Sequence, residues 1–89
     1  MFFVEYHIKD QKAFWRAWEK AQSYIPKDCH FIQCFSSKDG ELCISVWDCK
    51  SPKLLEGFMK EHFERYSKWK CHQIDAYHLE GEALKRLAS

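Results

Sequence analysis

Hydrophobic residues alternate with polar ones at the start of the chain, where the sequence reads FFVEYHI. This period of two predicts a β-strand with one apolar side, made of Phe2, Val4, Tyr6 and Ile8. The other side carries Phe3, Glu5 and His7, so two ionisable groups lie two positions apart on one strand. Burying a bare charge is costly, and these two groups therefore need water, a hydrogen-bond partner or each other.

Two later segments show a helical period instead. In QKAFWRAWEKAQSYIP, apolar residues recur every three or four positions; Asp10 precedes this segment as an N-cap, and Pro26 closes it. Ser51 and Pro52 supply an N-cap and a first-turn proline for a second helix. The stripe of that second helix is Leu55, Phe58, Met59, His62, Phe63 and Tyr66.

Three further segments are typical of strands. Residues 29–36 (CHFIQCFS) and 42–48 (LCISVWD) flank SSKDGE, in which Asp39-Gly40 is a strong hairpin signal. Residues 73–79 (QIDAYHL) alternate again and predict a last strand. The tail favours a short amphipathic helix at about 81–88.

The resulting order is β-α-β-β-α-β, which predicts a single α+β domain over residues 1–89 with a ferredoxin-like topology. Right-handed crossovers give a four-stranded antiparallel sheet with strands one and three in the middle and both helices on one face. Because the strands carry apolar or aromatic residues on both sides, we expect a second copy of the chain to cover the other face as a homodimer.

Composition excludes several classes of protein. The 14 basic and 13 acidic residues nearly balance, so the sequence predicts neither nucleic acid nor a membrane surface as a partner. The β-α-β-β-α-β order also occurs in RNA-recognition domains, but LCISVWD lacks their glycine-aromatic pattern. The N-terminus shows no signal-peptide pattern, and the five cysteines are odd in number without a C-x-x-C spacing. We therefore expect reduced thiols and a cytoplasmic location.

Three stretches, MFFVEYH, SSKDGELCISVWD and KSPKLLEGFMKEHF, resemble the dimeric α/β-barrel superfamily, which includes antibiotic-biosynthesis monooxygenases and small bacterial domains of unknown function. The resemblance covers residues 1–80 and implies that two sheets pair into a barrel, with ligands held between sheet and helices. It also implies a polar residue of strand one and a histidine of helix two in that cleft, positions that correspond here to His7 and His62.

These residues give the candidate catalytic set. We expect His7 to act as a base, Glu5 to orient it and His62 to polarise a substrate. The alternatives are a purely structural Glu5–His7 pair, a salt bridge from Glu5 to a lysine at the dimer interface, and a core role for His62. Two histidines and one carboxylate are also a set that holds iron or nickel, but the spacing is too weak to predict a metal or any other cofactor.

The excess of aromatic residues, 17% of the chain, indicates either packing or a pocket for a flat organic ligand. Trp47, Tyr66 and Trp18 are the candidate ligand-binding rings. The sequence thus predicts a small homodimeric protein that binds or transforms a small organic molecule by proton transfer or monooxygenase-like chemistry. The alternative is a non-enzymatic interaction or metal-binding module with the same dimer, and the sequence does not decide whether the protein is an enzyme.

Overall fold

The computed structural model describes residues 1–74 as a four-stranded antiparallel sheet with two helices packed on one face. The elements are β1 Phe2–Ile8, α1 Gln11–Ala21, a 3-10 turn Gln22–Tyr24, β2 Cys29–Ser36, β3 Leu42–Cys49, α2 Pro52–His62 and β4 Ser67–Gln73. The strand order β2-β3-β1-β4 places β1 and β3 in the middle, as the sequence predicts. The α+β architecture is compatible with a ferredoxin-like fold.

Two local features predicted in the first half of the chain, the N-cap of the first helix and the turn of the hairpin, are confirmed. Asp10 caps α1, because its Oδ1 accepts a hydrogen bond of 3.1 Å from the Ala13 backbone N–H. Gly40 has a φ of 74°, which glycine adopts without strain, and it turns the β2–β3 hairpin. Gln11 Nε2 donates to the Asp39 carbonyl at 3.0 Å, so the start of α1 is tied to this turn.

The core lies between the sheet and the helices. Its largest fully buried side chains come from β1, β3, both helices and the residue after α2: Val4, Tyr6, Phe14, Trp47, Leu55, Met59 and Phe63. Their rings pack mostly edge to face, as Tyr6 does on Phe14 at 5.2 Å and on Phe63 at 5.7 Å. These contacts fix both helices on the side of β1 that carries Tyr6.

The end of α2 and the last strand differ from the sequence prediction. The apolar stripe of the second helix was expected to continue to Tyr66, but α2 ends at His62. A turn follows, in which the backbone N–H and the hydroxyl of Ser67 both donate to the Phe63 carbonyl. The fourth strand of the sheet is Ser67–Gln73, which overlaps the predicted strand at 73–79 only at Gln73. Residues 75–79 and the predicted helix at 81–88 lie outside the described residues.

The cysteines also correct the prediction of five reduced thiols. Cys29 and Cys49 are directly opposed on β2 and β3, with Cα atoms 4.2 Å apart, and they form a disulfide. Cys34, Cys43 and Cys71 are free thiols. The bond joins residues 20 positions apart, which by chain entropy stabilises the fold by about 3 kcal/mol. It ties β2, an edge strand, covalently to the centre of the sheet.

Candidate functional site

The sheet has two different faces. Phe2, Val4 and Tyr6 of β1 are buried against the helices on the covered face. Phe3, Glu5 and His7 lie on the opposite side, which no element of residues 1–74 covers and which we call the open face. Strand register divides it in two. Its apolar half consists of Phe3, Phe35, Leu42, Ile44 and Val46, with the polar residues His30, Gln33 and Asp48 beside them on β2 and β3. Its charged half consists of Glu5, His7, Lys68, Lys70 and His72.

Two histidines hold the Glu5 carboxylate in the charged half. Nε2 of His72 donates to Oε1 of Glu5 at 2.8 Å, and Nε2 of His7 lies 3.5 Å from Oε2. The hydrogen bond from His72 holds the pKa of Glu5 below its usual value. The His72 ring stacks on Phe3 with centroids 4.5 Å apart, which fixes its orientation. Glu5 and His7 thus share a face, as the alternation of β1 predicts.

His72 was missed by the sequence reasoning because the last strand was placed too late in the chain. The signal was present in SKWKCHQ, where Lys68, Lys70 and His72 alternate with Trp69 and Cys71. The outward side of this strand is entirely basic or polar, so it lacks the β-branched and aromatic residues that are typical of strands. With β4 in its observed register, His72 faces Phe3 and sits beside Glu5.

His62 lies on the other side of the sheet, at the end of α2. Its ring packs on Phe58 at 4.8 Å and stacks on Tyr24 at 5.5 Å. The sheet separates His62 from His7, so the structure does not bring these two residues into one cleft. Glu5, His7 and His62 do not form one site, and within residues 1–74 no three ligating side chains are arranged to hold a metal ion.

The space between sheet and helices is filled by side chains. Trp47 is 1% exposed and packs on Phe58, while Trp18 fills the gap beside Tyr6 and Phe63. Both tryptophans predicted to bind a ligand are therefore packing residues in the described part of the chain. Tyr66 lies apart from them, at the edge of a groove between the helices.

That groove runs between α1 and α2 and has a volume of about 810 Å³. His62 and Tyr66 line one part of it, and charged residues line most of the rest: Arg16, Glu19, Lys20, Lys60, Glu61, Glu64 and Arg65. Two of the predicted site residues, His62 and Tyr66, are thus brought together, but in a groove outside the core rather than in a cleft against β1.

One chain of hydrogen bonds crosses the core. Trp47 Nε1 donates to Ser45 Oγ at 2.7 Å, and Ser45 Oγ lies 2.6 Å from the Tyr6 hydroxyl. Tyr6 in turn donates to Met59 Sδ at 3.3 Å, so its single proton is used there and the serine hydroxyl donates to Tyr6. Burial raises the pKa of Tyr6, which keeps the phenol neutral and makes the network structural.

No protein-family model matches the chain, and no curated protein or solved structure matches it. No helix within residues 1–74 is both long and apolar enough to cross a membrane.

Proposed function

We propose that this chain is a non-enzymatic interaction module that forms a homodimer through the open face of its sheet. The observation that supports this most is the apolar half of that face, where Phe35 is 54% exposed and packs under no described element. A contiguous apolar patch that is partly exposed on a small domain is typical of an interaction site. The resemblance to the dimeric α/β-barrel superfamily, whose members pair through their sheets, favours the same arrangement.

A second copy fits the pattern of the face better than an unrelated partner. In a two-fold interface the same patch of each copy contacts that of the other. A two-fold axis near Ile44 therefore places the apolar half of one copy against the apolar half of the second copy. The charged half carries Lys68 and Lys70 against a single carboxylate, Glu5, and two such halves would repel if superposed. The same axis places the two charged halves at opposite edges of the interface, where water screens their charges.

The area of the open face bears on the expected affinity of the proposed homodimer. Four strands of seven or eight residues cover a footprint of roughly 20 by 25 Å, from strand spacing and rise per residue. Stable interfaces bury about 800 Å² on each partner, and an overlap of the apolar halves alone buries less than this. We therefore expect a dimer that dissociates at micromolar concentrations.

Sedimentation equilibrium over a range of concentrations tests the proposal. The wild type should show a monomer–dimer equilibrium, and Ile44→Lys should be monomeric with an unchanged circular dichroism spectrum. The matched control is Leu54→Lys, since Leu54 is an exposed apolar residue of α2 that lies off the sheet. The proposal fails if the wild type stays monomeric throughout, or if both lysine variants change the association equally.

A second candidate function, binding of a small polar organic molecule, is favoured by the groove between α1 and α2. Its volume of about 810 Å³ lies in the range of ligand sites. Its lining is far more charged than that of sites for apolar ligands, so an anion such as benzoate is a suitable probe. NMR shifts of the His62 ring signals on titration with benzoate, absent in Arg65→Ala, would support binding in the groove. The absence of any shift at millimolar benzoate would contradict it.

A cytoplasmic location stays a prediction from the sequence, which does not decide whether the protein is an enzyme. A disulfide such as Cys29–Cys49 is uncommon in the reducing cytosol, so the two expectations on thiols and location have to be tested together. Trapping thiols in intact cells with an alkylating agent, followed by peptide mapping, reports whether this pair is oxidised where the protein resides.

A further inference from the structure

The covered side of the β2–β3 hairpin holds a second pair of cysteines besides the disulfide. The Sγ atoms of Cys34 and Cys43 lie 3.2 Å apart. Cys34 pairs with Ser45 and Cys43 pairs with Ser36, so the two residues are diagonal neighbours across the hairpin. Cys34 is half-buried and Cys43 is fully buried.

We propose that Cys34 and Cys43 form a thiol–disulfide exchange site whose oxidant is a low-molecular-weight disulfide such as glutathione disulfide. This site lies on the covered face and does not depend on the proposed homodimer.

The environments of the two thiols assign them different roles. The hydrogen bond from Cys43 lowers the pKa of Cys34, which favours its thiolate. The same hydrogen bond, together with burial, raises the pKa of Cys43 and keeps that thiol protonated. Cys34 is also the more exposed of the two. It is therefore the attacking nucleophile, and Cys43 resolves the intermediate.

The exchange proceeds in two balanced steps. The Cys34 thiolate attacks one sulfur of the small disulfide, the bond between its two sulfurs breaks, and one thiolate leaves with a proton from solvent. Cys43 then loses its proton and attacks the Cys34 sulfur of the mixed disulfide, which releases the second small thiol. Two electrons pass from the protein dithiol to the small disulfide, and one new bond joins Cys34 to Cys43.

The hairpin allows the small movement that this bond needs. A disulfide requires the sulfurs at about 2.05 Å, so they must approach by about 1 Å. β2 is an edge strand paired only with β3, and an irregularity at Phe31/Gln33 interrupts its register just before Cys34. The Cys29–Cys49 bond holds the far end of the hairpin in register during the change.

The test treats the folded protein with excess glutathione disulfide, quenches with acid, alkylates the remaining thiols and measures intact mass and disulfide-linked peptides. The wild type should lose two hydrogens, leave Cys71 as the alkylated thiol and give a Cys34–Cys43 peptide. Cys43→Ser should instead accumulate one glutathionyl group on Cys34, because the resolving thiol is missing. Cys34→Ser should acquire no glutathionyl group at the buried Cys43.

Cys71→Ser is the control, since Cys71 is a third free thiol whose pKa burial raises to about 11, and it should behave as the wild type does. The peptide map of the wild type decides the matter even if a serine variant misfolds. A wild type that keeps both thiols under excess oxidant overturns the proposal. So does a stable glutathione adduct on the wild type with no Cys34–Cys43 peptide.

Discussion

The two faces of the sheet are built from alternate residues of the same strands, yet they differ in almost every physical respect. The covered face is aromatic and mostly buried, and within residues 1–74 every buried side-chain nitrogen or oxygen atom has a hydrogen-bond partner. The open face is divided between partly exposed apolar residues, of which Phe35 is the most exposed, and a cluster of charges around Glu5. Packing within residues 1–74 accounts for the first face, whereas the proposed homodimer would cover the second.

The substitution with the largest expected effect on the free energy of unfolding lies on the covered face. Trp47→Ala should lower the free energy of unfolding by about 3–5 kcal/mol, because it removes a fully buried ring. Trp15→Ala on α1, where the ring is 37% exposed, should cost about 1 kcal/mol. Urea unfolding followed by circular dichroism measures both; equal losses would mean that Trp47 is not the packing centre described.

One substitution made on both faces gives the sharpest comparison. Val4→Ala removes a side chain that is 0% exposed and should cost about 2 kcal/mol of monomer stability. Val46→Ala on the open face should cost less than about 0.5 kcal/mol when measured on dilute monomer. In sedimentation experiments the order should reverse, with Val46→Ala weakening the dimer and Val4→Ala leaving it intact. A large loss of monomer stability from Val46→Ala would show that the open face is covered within one chain.

The smallest expected effect concerns the charges of the open face. The pKa of Glu5 is lowered in the folded state, so its ionised carboxylate stabilises the fold above the pKa of the unfolded chain, near 4.3. That contribution is lost as pH falls through the folded pKa. Glu5→Gln should therefore melt below the wild type at neutral pH, and the two melting temperatures should converge in acid.

The matched control for this pH dependence is Glu41→Gln, which changes an exposed glutamate of the hairpin turn. Its melting temperature should follow that of the wild type at every pH. If the gap between Glu5→Gln and the wild type stays constant down to strongly acidic pH, the ion pairs with His7 and His72 do not stabilise the fold.

Local patterns were enough to predict much of the fold. The alternation of β1, the Asp10 cap and the Asp39-Gly40 turn each act within a few residues, and each is confirmed. The strand order followed from those elements and the handedness of crossovers. The division of the sheet into a covered and an open face could therefore be anticipated from single-residue periodicity.

The candidate site was harder to predict because its contacts join distant parts of the chain. Glu5 and His72 are 67 residues apart and meet only through the register of β1 with β4. The helical period around Phe63 and Tyr66 concealed the start of that strand, and the position of His62 depended on where α2 ends. The Cys29–Cys49 bond likewise follows from the β2–β3 register rather than from cysteine spacing.

The central position of β1 has a consequence for synthesis on the ribosome. β1 emerges first, but its neighbours β3 and β4 are translated some 40 and 65 residues later. Pairings over such distances close slowly, and the nascent chain must carry the FFVEYHI segment unpaired in the meantime. Cotranslational folding of this small sheet should therefore be completed only when the last strand leaves the exit tunnel.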